Sequence, residues 1–274
     1  MQVVEPSAAS GECYVISLRP VGDHATLRRA AARHGMRVLA LSPWKLQRCD
    51  DDATRRALKS ALSAERIIVS SPAAVRAADA LLPLREHARR NWHAVGKGTA
   101  STLRRVGVKH ANVPRRMDSE GLLALPSMQD VRGHRIGLIT APGGRGRIAS
   151  ALHAGGANLI RANVYLRVPV APDVRTVSGL LRIANTRPAW LALSSGDALL
   201  TLLDALPADA ASALQHMGVV AASPRLAQLA REQGFTDAVI AADARPTSLV
   251  KAIVEARAGR PETQKNTAPD GPIR

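Results

Sequence analysis

The chain has 274 residues, a formal net charge of +16, 46% apolar residues and only 2% aromatic residues. This length and apolar content predict one large or two ordinary globular domains, with cores built mainly from aliphatic side chains. No uninterrupted apolar run approaches the ~20 residues that span a bilayer, and Cys13 and Cys49 lack the spacing of a metal site. The first residues also lack the basic and apolar regions of a signal peptide, so we expect a cytoplasmic protein with reduced cysteines.

Segments with the patterns of strands and helices alternate along the chain. We predict strands at 14–18, 37–44, 66–70, 92–96, 135–140, 158–168, 190–194, 219–222 and 239–242. We predict helices at 23–34, 52–62, 72–82, 99–106, 119–126, 174–184, 195–206, 223–233 and 247–257, and a further helix that follows residues 142–145 and ends near 153. This alternation predicts an α/β fold, whereas residues 1–12 and 259–274 are predicted to be disordered.

The first half of the chain recurs in the second half at a nearly constant offset. Residues 68–72 correspond to 192–196, and Gly98 before its helix corresponds to Ser223 before another. We therefore predict two similar lobes, each a parallel sheet flanked by helices. Lobe 1 comprises 13–37 and 169–258, lobe 2 comprises 45–157, and 38–44 and 158–168 form a two-stranded antiparallel connector.

Hydroxyl residues and glycines stand where predicted strands end and helices begin. In residues 94–103, two glycines and Thr99, a candidate helix cap, follow a strand. This is not a nucleotide-binding P-loop, because Asn91 stands where that motif needs a glycine. Polar residues also stand at or near the start of a predicted helix at Arg19, Ser71, Ser119, Ser195, Ser223 and Ser248. Because helix N-termini attract anions and ligands bind at the carboxyl ends of parallel strands, facing lobes would line a cleft for a ligand with several anionic groups.

Several short motifs, taken in their order along the chain, resemble the uroporphyrinogen-III synthase family. They are Ile68-Val-Ser-Ser71-Pro, Val95-Gly-Lys-Gly-Thr-Ala, Ser119-Glu-Gly-Leu-Leu, Gly143-Gly-Arg145, Val164-Tyr165-Leu-Arg167 and Ser194-Ser195-Gly. The resemblance covers about residues 14–257. It implies two α/β lobes joined by a two-stranded ladder, and a cyclising hydro-lyase of haem biosynthesis that needs no cofactor or metal. Such an enzyme converts hydroxymethylbilane into uroporphyrinogen III, with loss of water and inversion of ring D.

The resemblance also implies roles for individual residues. Tyr165 matches the family's tyrosine at the connecting strand, and we expect it to donate a hydrogen bond to the leaving hydroxyl, since a phenol is protonated at neutral pH. The expected substrate-binding residues are Arg19, Ser71, Gly98, Thr99, Ser119, Ser195 and Ser223. The expected partner is hydroxymethylbilane, a polycarboxylate, together with transient contact with the preceding enzyme of the pathway. We expect a monomer, with neither nucleic acid nor a membrane as a partner.

Two other functions stay open at this point. A non-catalytic two-lobed protein that senses a polyanionic metabolite would have the same cleft and no turnover. A nucleic-acid-associated protein would use the positive charge, and its binding would weaken steeply with salt.

Overall fold

A computed structural model describes residues 12–143 and 146–259. The disorder predicted for 1–11 and 260–274, and the motif residues Gly144 and Arg145, therefore lie outside the described residues. Two residues at the edges of the predicted disordered segments are described. Glu12 forms an ion pair with Arg37 at 3.3 Å, and Gly259 follows the last helix as its C-cap.

The strands of the described residues are β1 (Tyr14–Ser17), β2 (Arg37–Ala40), β3 (Trp44–Arg48), β4 (Arg66–Val69), β5 (Asn91–Ala94), β6 (Arg135–Thr140), β7 (Asn158–Asn163), β8 (Tyr165–Pro169), β9 (Ala189–Leu193), β10 (Gly218–Ala221) and β11 (Ala238–Ile240). The α-helices are α1 (Ala25–Ala32), α2 (Asp52–Leu62), α3 (Pro72–Leu81), α4 (Lys97–Arg105), α5 (Ser119–Leu123), α6 (Arg147–Ala154), α7 (Val174–Thr186), α8 (Gly196–Ala205), α9 (Ala208–Gln215), α10 (Pro224–Glu232) and α11 (Pro246–Ala258). The sequence did not predict α9. Within the two described ranges, no helix has both the length and the apolar character needed to cross a membrane.

The chain divides into two compact units. Unit 1 contains the described residues up to Lys45 and from Pro169 onwards, and unit 2, Leu46–Val168, is inserted between them along the sequence. The domain boundaries given in the sequence analysis stay a prediction.

Unit 1 is built on a five-stranded sheet with the order β11-β10-β9-β1-β2, and all its pairings are parallel. Every residue of the central strand β9 is buried, which is typical of a parallel sheet covered on both faces. Gly218 lies opposite Trp190, and a Cβ atom at position 218 would approach the indole ring to 2.6 Å. The glycine therefore makes room for the largest side chain of this core.

Unit 2 is built on a four-stranded parallel sheet with the order β5-β4-β6-β7. Its core contains the buried side chains of Leu58 from α2, Ile67 from β4 and Trp92 from β5. Helix α2 approaches β6 so closely that a Cβ atom at Gly137 would lie 2.2 Å from the carbonyl oxygen of Ala61. This contact fixes the position of β6, whose carboxyl end bears the residues described below.

The two sheets repeat one strand order. Counted from one edge, unit 1 has the order β2-β1-β9-β10 and unit 2 has the order β7-β6-β4-β5. Strands at equivalent positions in the two sheets are the ones that the internal repeat of the sequence matches with each other. Strand β11 extends only the first sheet. At the corresponding edge of unit 2, an isolated parallel bridge joins His93 to Asn112.

Strands β3 and β8 form a separate two-stranded sheet, and both cross the boundary between the units along the sequence. Backbone hydrogen bonds from Cys49 to Val164 (3.2 Å) and from Val170 to Pro43 (3.0 Å) show that these strands run antiparallel. The predicted connector segments, 38–44 and 158–168, are each divided. In the first segment, residues 37–40 pair with β1 in the sheet of unit 1, and this strand ends before Pro43, which has no N–H to donate to a neighbouring strand. In the second segment, residues 158–163 pair with β6 in the sheet of unit 2, and only the part from Tyr165 onwards pairs with β3.

Candidate functional site

A cavity of about 210 Å³ opens in unit 2 at the carboxyl ends of β4 and β6. Its walls come from the residues that follow these strands, the first turn of α6, and parts of β7 and β8. Its polar lining residues are Ser70, Ser71, Ser119, Thr140, Arg147, Arg161, Tyr165 and Arg167. Such an edge is where open parallel sheets bind their ligands.

Tyr165 is held between the core and this cavity. Its side chain packs in the hydrophobic core, with 4% of the residue exposed, while its hydroxyl lies 3.2 Å from Oγ of Ser71. Ser71 is the N-cap of α3, and its Oγ accepts a hydrogen bond from the Ala74 N–H at 3.1 Å. The start of α3 therefore fixes Ser71, and Ser71 in turn fixes the phenol.

A second pair of hydroxyls joins the ends of the two neighbouring strands. Ser70 follows β4, and its Oγ donates a hydrogen bond to Oγ1 of Thr140 at 2.8 Å. Both residues line the cavity. Because Oγ1 of Thr140 accepts this bond, its own O–H remains available to a ligand.

Three arginines line the cavity, and among its described lining residues none is Asp or Glu. Arg147 forms an ion pair with Glu120, with Nε 3.0 Å from Oε1. Arg161 donates from Nε to Oδ1 of Asn163 and from Nη2 to the carbonyl of Ala141, both at 2.9 Å. This set of charges favours an anionic occupant.

The N-terminus of α6 adds backbone donors to the same wall. Its N-cap, Gly146, has a φ of 63°, a left-handed conformation that favours glycine, and provides no side-chain cap. The N–H groups of the first helical turn have no partner within the helix, and the helix dipole favours negative charge there. Arg147, Ile148 and Ala149 of this turn all line the cavity.

The structure brings three of the predicted site residues together in this cavity: Ser71, Ser119 and Tyr165. Ser119 is the first residue of α5 and not its cap, because the carboxylate of Asp118 accepts the Gly121 N–H at 2.8 Å. Ser119 therefore reaches the cavity from the first turn of a short helix.

Gly98 and Thr99 lie in the same unit, in the first turn of α4, outside the cavity lining. The prediction that Thr99 caps this helix is wrong. The helix begins two residues earlier at Lys97, its N-cap is Gly96, and Thr99 is 3% exposed. Gly98 is exposed, and its Cβ position would lie 3.7 Å from Cγ of Pro72.

The remaining predicted residues, Arg19, Ser195 and Ser223, belong to unit 1. They follow β1, β9 and β10, which are neighbours in a parallel sheet, and therefore lie along one edge of it. Ser195 and Ser223 are N-caps whose hydroxyls accept backbone N–H bonds at 3.3 and 3.4 Å. Arg19 forms an ion pair with Asp23 at 3.4 Å.

Sequence reasoning missed the arginines of the cavity. Arginines are scattered along the whole chain, so their number carried no signal for a site. A signal was nevertheless present in the spacing of Arg161, Tyr165 and Arg167, since alternate residues of an extended chain share one face. Arg147 became recognisable only when the start of α6 was known.

The described residues contain no group of three or more His, Cys, Asp or Glu side chains that could hold a metal ion.

A family model described as uroporphyrinogen-III synthase HemD matches residues 25–251. The chain belongs to the uroporphyrinogen-III synthase family. The family named by the sequence motifs is therefore confirmed.

Curated members of the uroporphyrinogen-III synthase family resemble the chain over part of its length. The enzyme of Escherichia coli strain K12 is 30% identical over 165 residues, which are 60% of this chain and 66% of that protein. The enzyme of Salmonella typhimurium strain LT2 is 30% identical over 172 residues, which are 60% of this chain and 69% of that protein. The alignment thus spans about two thirds of each uroporphyrinogen-III synthase.

Solved structures of uroporphyrinogen-III synthases share the fold. A mutant uroporphyrinogen III synthase from the extremely thermophilic bacterium Thermus thermophilus matches with a TM-score of 0.60 and 17% identity, over 91% of this chain and all of that one. The Helicobacter pylori 26695 protein matches with a TM-score of 0.57 and 13% identity, over 90% of this chain and all of that one. The predicted fold class, two similar parallel α/β lobes with an antiparallel two-stranded connector, is confirmed.

Proposed function

We propose that the chain is an active uroporphyrinogen-III synthase that cyclises hydroxymethylbilane to uroporphyrinogen III, with loss of water and inversion of ring D. The observation that supports this most strongly is the cavity of unit 2, where a fixed phenol lies among hydroxyls and arginines. Because the chain belongs to the uroporphyrinogen-III synthase family, this reaction is the one that we expect in the cavity. The proposed enzyme is a cyclising hydro-lyase.

The acidic arms of hydroxymethylbilane fit the donors of the cavity. Guanidinium groups bind carboxylates through charge-assisted hydrogen bonds, and helix N-termini add further N–H donors. The substrate is flexible, and the reaction requires ring D to be attacked at a substituted carbon. We therefore assign most of the rate enhancement to holding the chain of pyrroles in a reactive geometry.

Tyr165 acts as the hydrogen-bond donor to the leaving hydroxyl. Oγ of Ser71 already accepts the Ala74 N–H, so the serine O–H is available to donate to the Tyr165 oxygen at 3.2 Å. In that arrangement the phenol O–H points to the substrate, and partial proton transfer assists departure of water. The azafulvene that remains is a strong electrophile, so the ring closes without a covalent enzyme intermediate.

Each of the other proposed substrate-binding residues contributes one weak hydrogen bond or charge interaction to the substrate. Ser71 and Ser119 act in the cavity, Gly98 offers a backbone N–H, and Arg19, Ser195 and Ser223 act at the sheet edge of unit 1. Thr99 is proposed through its position in the first turn of α4, since its buried side chain argues against a direct hydroxyl contact. No single residue of this set is expected to be essential.

Turnover with isomer analysis tests the proposal. Purified protein is incubated with hydroxymethylbilane, the product is oxidised, and the uroporphyrin isomers are separated. Type III isomer above the level of a protein-free control supports the proposal. Type I alone, the product of spontaneous closure, would refute it and leave a protein that binds without turnover.

The substrate is a small molecule, and the remaining expectations about partners stay predictions. These are the transient contact with the preceding enzyme of the pathway, the cytoplasmic location, the monomeric state, and the lack of nucleic-acid or membrane binding.

A further inference from the structure

Arg161 is a cation whose position is fixed by neutral groups. It lies on the edge strand β7 opposite Leu138 of β6, and it is exposed at the cavity. Its Nε and Nη2 atoms donate to the amide oxygen of Asn163 and to the carbonyl of Ala141, both at 2.9 Å. One bond goes to a residue of β7 itself and the other to the residue that follows β6, and together they hold the guanidinium plane in one orientation.

No carboxylate of the described residues forms an ion pair with Arg161. Arg147, in the same cavity, differs because Glu120 lies 3.0 Å from its Nε. Asn163 and Ala141 are neutral, so the partners of Arg161 among residues 12–143 and 146–259 do not compensate its positive charge. Arginine has five donors and the described residues accept from two of them, so further N–H groups of the guanidinium have no acceptor within the described part of the chain.

We propose that Arg161 binds one carboxylate arm of the substrate, and that its anchoring by Asn163 and Ala141 positions it for this task. The identity of the ligand rests on the proposed function, whereas the requirement for an anionic group rests on the site itself. An anchored guanidinium loses little side-chain freedom when it forms a pair of bonds with a carboxylate. The subsite lies beside Tyr165 and the N-terminus of α6, so one bound arm places its pyrrole close to the phenol.

Two measurements on the intact chain test this subsite. The first is steady-state kinetics with hydroxymethylbilane, and the second is fluorescence titration with uroporphyrin III, a stable polycarboxylate. For Arg161→Gln we expect KM and the uroporphyrin Kd to rise roughly 10-fold, the loss of one charge-assisted contact, with kcat changed less than about 2-fold. Arg161→Lys, which keeps the charge and loses the planar fork, should recover part of the affinity.

Arg56→Gln is the matched control. Arg56 is exposed on α2 and lies outside the cavity lining, and its substitution removes the same charge from the same unit. A general effect of net charge would weaken binding equally in both variants, whereas a subsite at Arg161 affects only its own variant. The unfolding midpoint of Arg56→Gln should match that of the unmodified chain, whereas Arg161→Gln loses two hydrogen bonds at the surface and should unfold at a slightly lower midpoint while staying folded under assay conditions.

The outcomes separate the subsite from the proposed function. If Arg161→Gln binds uroporphyrin III as tightly as Arg56→Gln and has the same KM, the subsite is wrong whatever the turnover. If the unmodified chain binds uroporphyrin III in an Arg161-dependent manner but yields only type I isomer, the subsite stands and the proposed function falls.

Discussion

Replacing Tyr165 with Phe removes one oxygen and preserves the packing of the ring. The side chain is 4% exposed in the core of unit 2, and Phe fills nearly the same volume. The lost contact is the 3.2 Å hydrogen bond to Ser71, which keeps the Ala74 N–H as a partner. Stability should therefore fall by only about 1 kcal/mol, the net contribution of one hydrogen bond.

Turnover should respond far more strongly to Tyr165→Phe. Loss of a positioned proton donor typically costs about 10² in rate at the lower end, so we expect kcat for uroporphyrinogen III to fall by about that factor. KM should change little, because the phenol contacts the leaving hydroxyl and not an acidic arm. The assay is the initial rate of type III product at saturating hydroxymethylbilane.

Ser71→Ala separates capping from orientation of the phenol. The variant should lose about 1 kcal/mol of stability through its cap, as Ser223→Ala should in α10, where a serine and a proline form the same kind of cap. If Ser71 acts on the reaction by orienting the phenol, Ser71→Ala should lower kcat in the unmodified chain and have no further effect in Tyr165→Phe. The capping cost should appear in both backgrounds.

Two results would refute this reasoning. A Tyr165→Phe variant with unchanged kcat would remove the phenol from the reaction. An equal drop in kcat on Ser71→Ala with and without the Tyr165 hydroxyl would show that Ser71 acts only through its own contact with the substrate and not by orienting the phenol.

Three further predictions concern stability and the arginine subsite. Gly137→Ala should lower the free energy of unfolding by about 1–3 kcal/mol in urea titrations, because its Cβ would lie 2.2 Å from a backbone oxygen of α2 that cannot rotate away. His93 is fully buried, and burial lowers its pKa to about 4. Since the unfolded chain then binds more protons, the free energy of unfolding should fall as pH drops from about 6.5 to about 4, by up to about 3 kcal/mol, and His93→Gln should reduce this dependence. Asn163→Ala removes one anchor of Arg161, and KM for hydroxymethylbilane should rise about 3-fold, less than on loss of the arginine.

Each of these predictions has a contrary outcome. Gly179→Ala in α7 is the control for Gly137, since its Cβ would make an ordinary contact of 3.8 Å with Leu39, and equal stability of the two variants would contradict the steric argument. An unchanged pH profile in His93→Gln would assign the acid sensitivity to other groups. A larger KM effect for Asn163→Ala than for Arg161→Gln would mean that Asn163 contacts the substrate itself.

The layout of the sheets could be predicted because the chain repeats its strand and helix patterns. Continuous apolar segments such as 67–69 and 189–193 are typical of buried parallel strands, and they occupy equivalent places in the two sheets. The division of residues 158–168 between β7 and β8 could not be predicted. It depends on where β6 ends as a neighbour, which is a long-range property of the sheet.

Helix starts were predictable only where one hydroxyl residue dominated. Ser71, Ser195 and Ser223 each precede proline or glycine and cap their helices as expected. Helix α4 begins at Lys97, two residues before Thr99, with Gly96 as its N-cap, so Thr99 is buried inside the first turn and does not cap the helix. At α5 the carboxylate of Asp118, and not Ser119, caps the helix. The contact between Arg161 and Ala141 depends on strand pairing, so local sequence could not reveal it.

The insertion of one unit within the other sets an order of events during synthesis. All four strands of the inserted sheet lie between residues 66 and 163, whereas β1 must wait for β9, at 189–193, to emerge. Translation runs from the N-terminus and compact units tend to form as they become complete. A nascent chain that has emerged from the ribosome as far as residue 175 would therefore contain the complete sheet of unit 2 together with β1 and β2, and two strands alone are rarely stable in water. Strands β1 and β2 are thus made before unit 2 but reach their final packing after it, and in the meantime they depend on protection by the ribosome and chaperones.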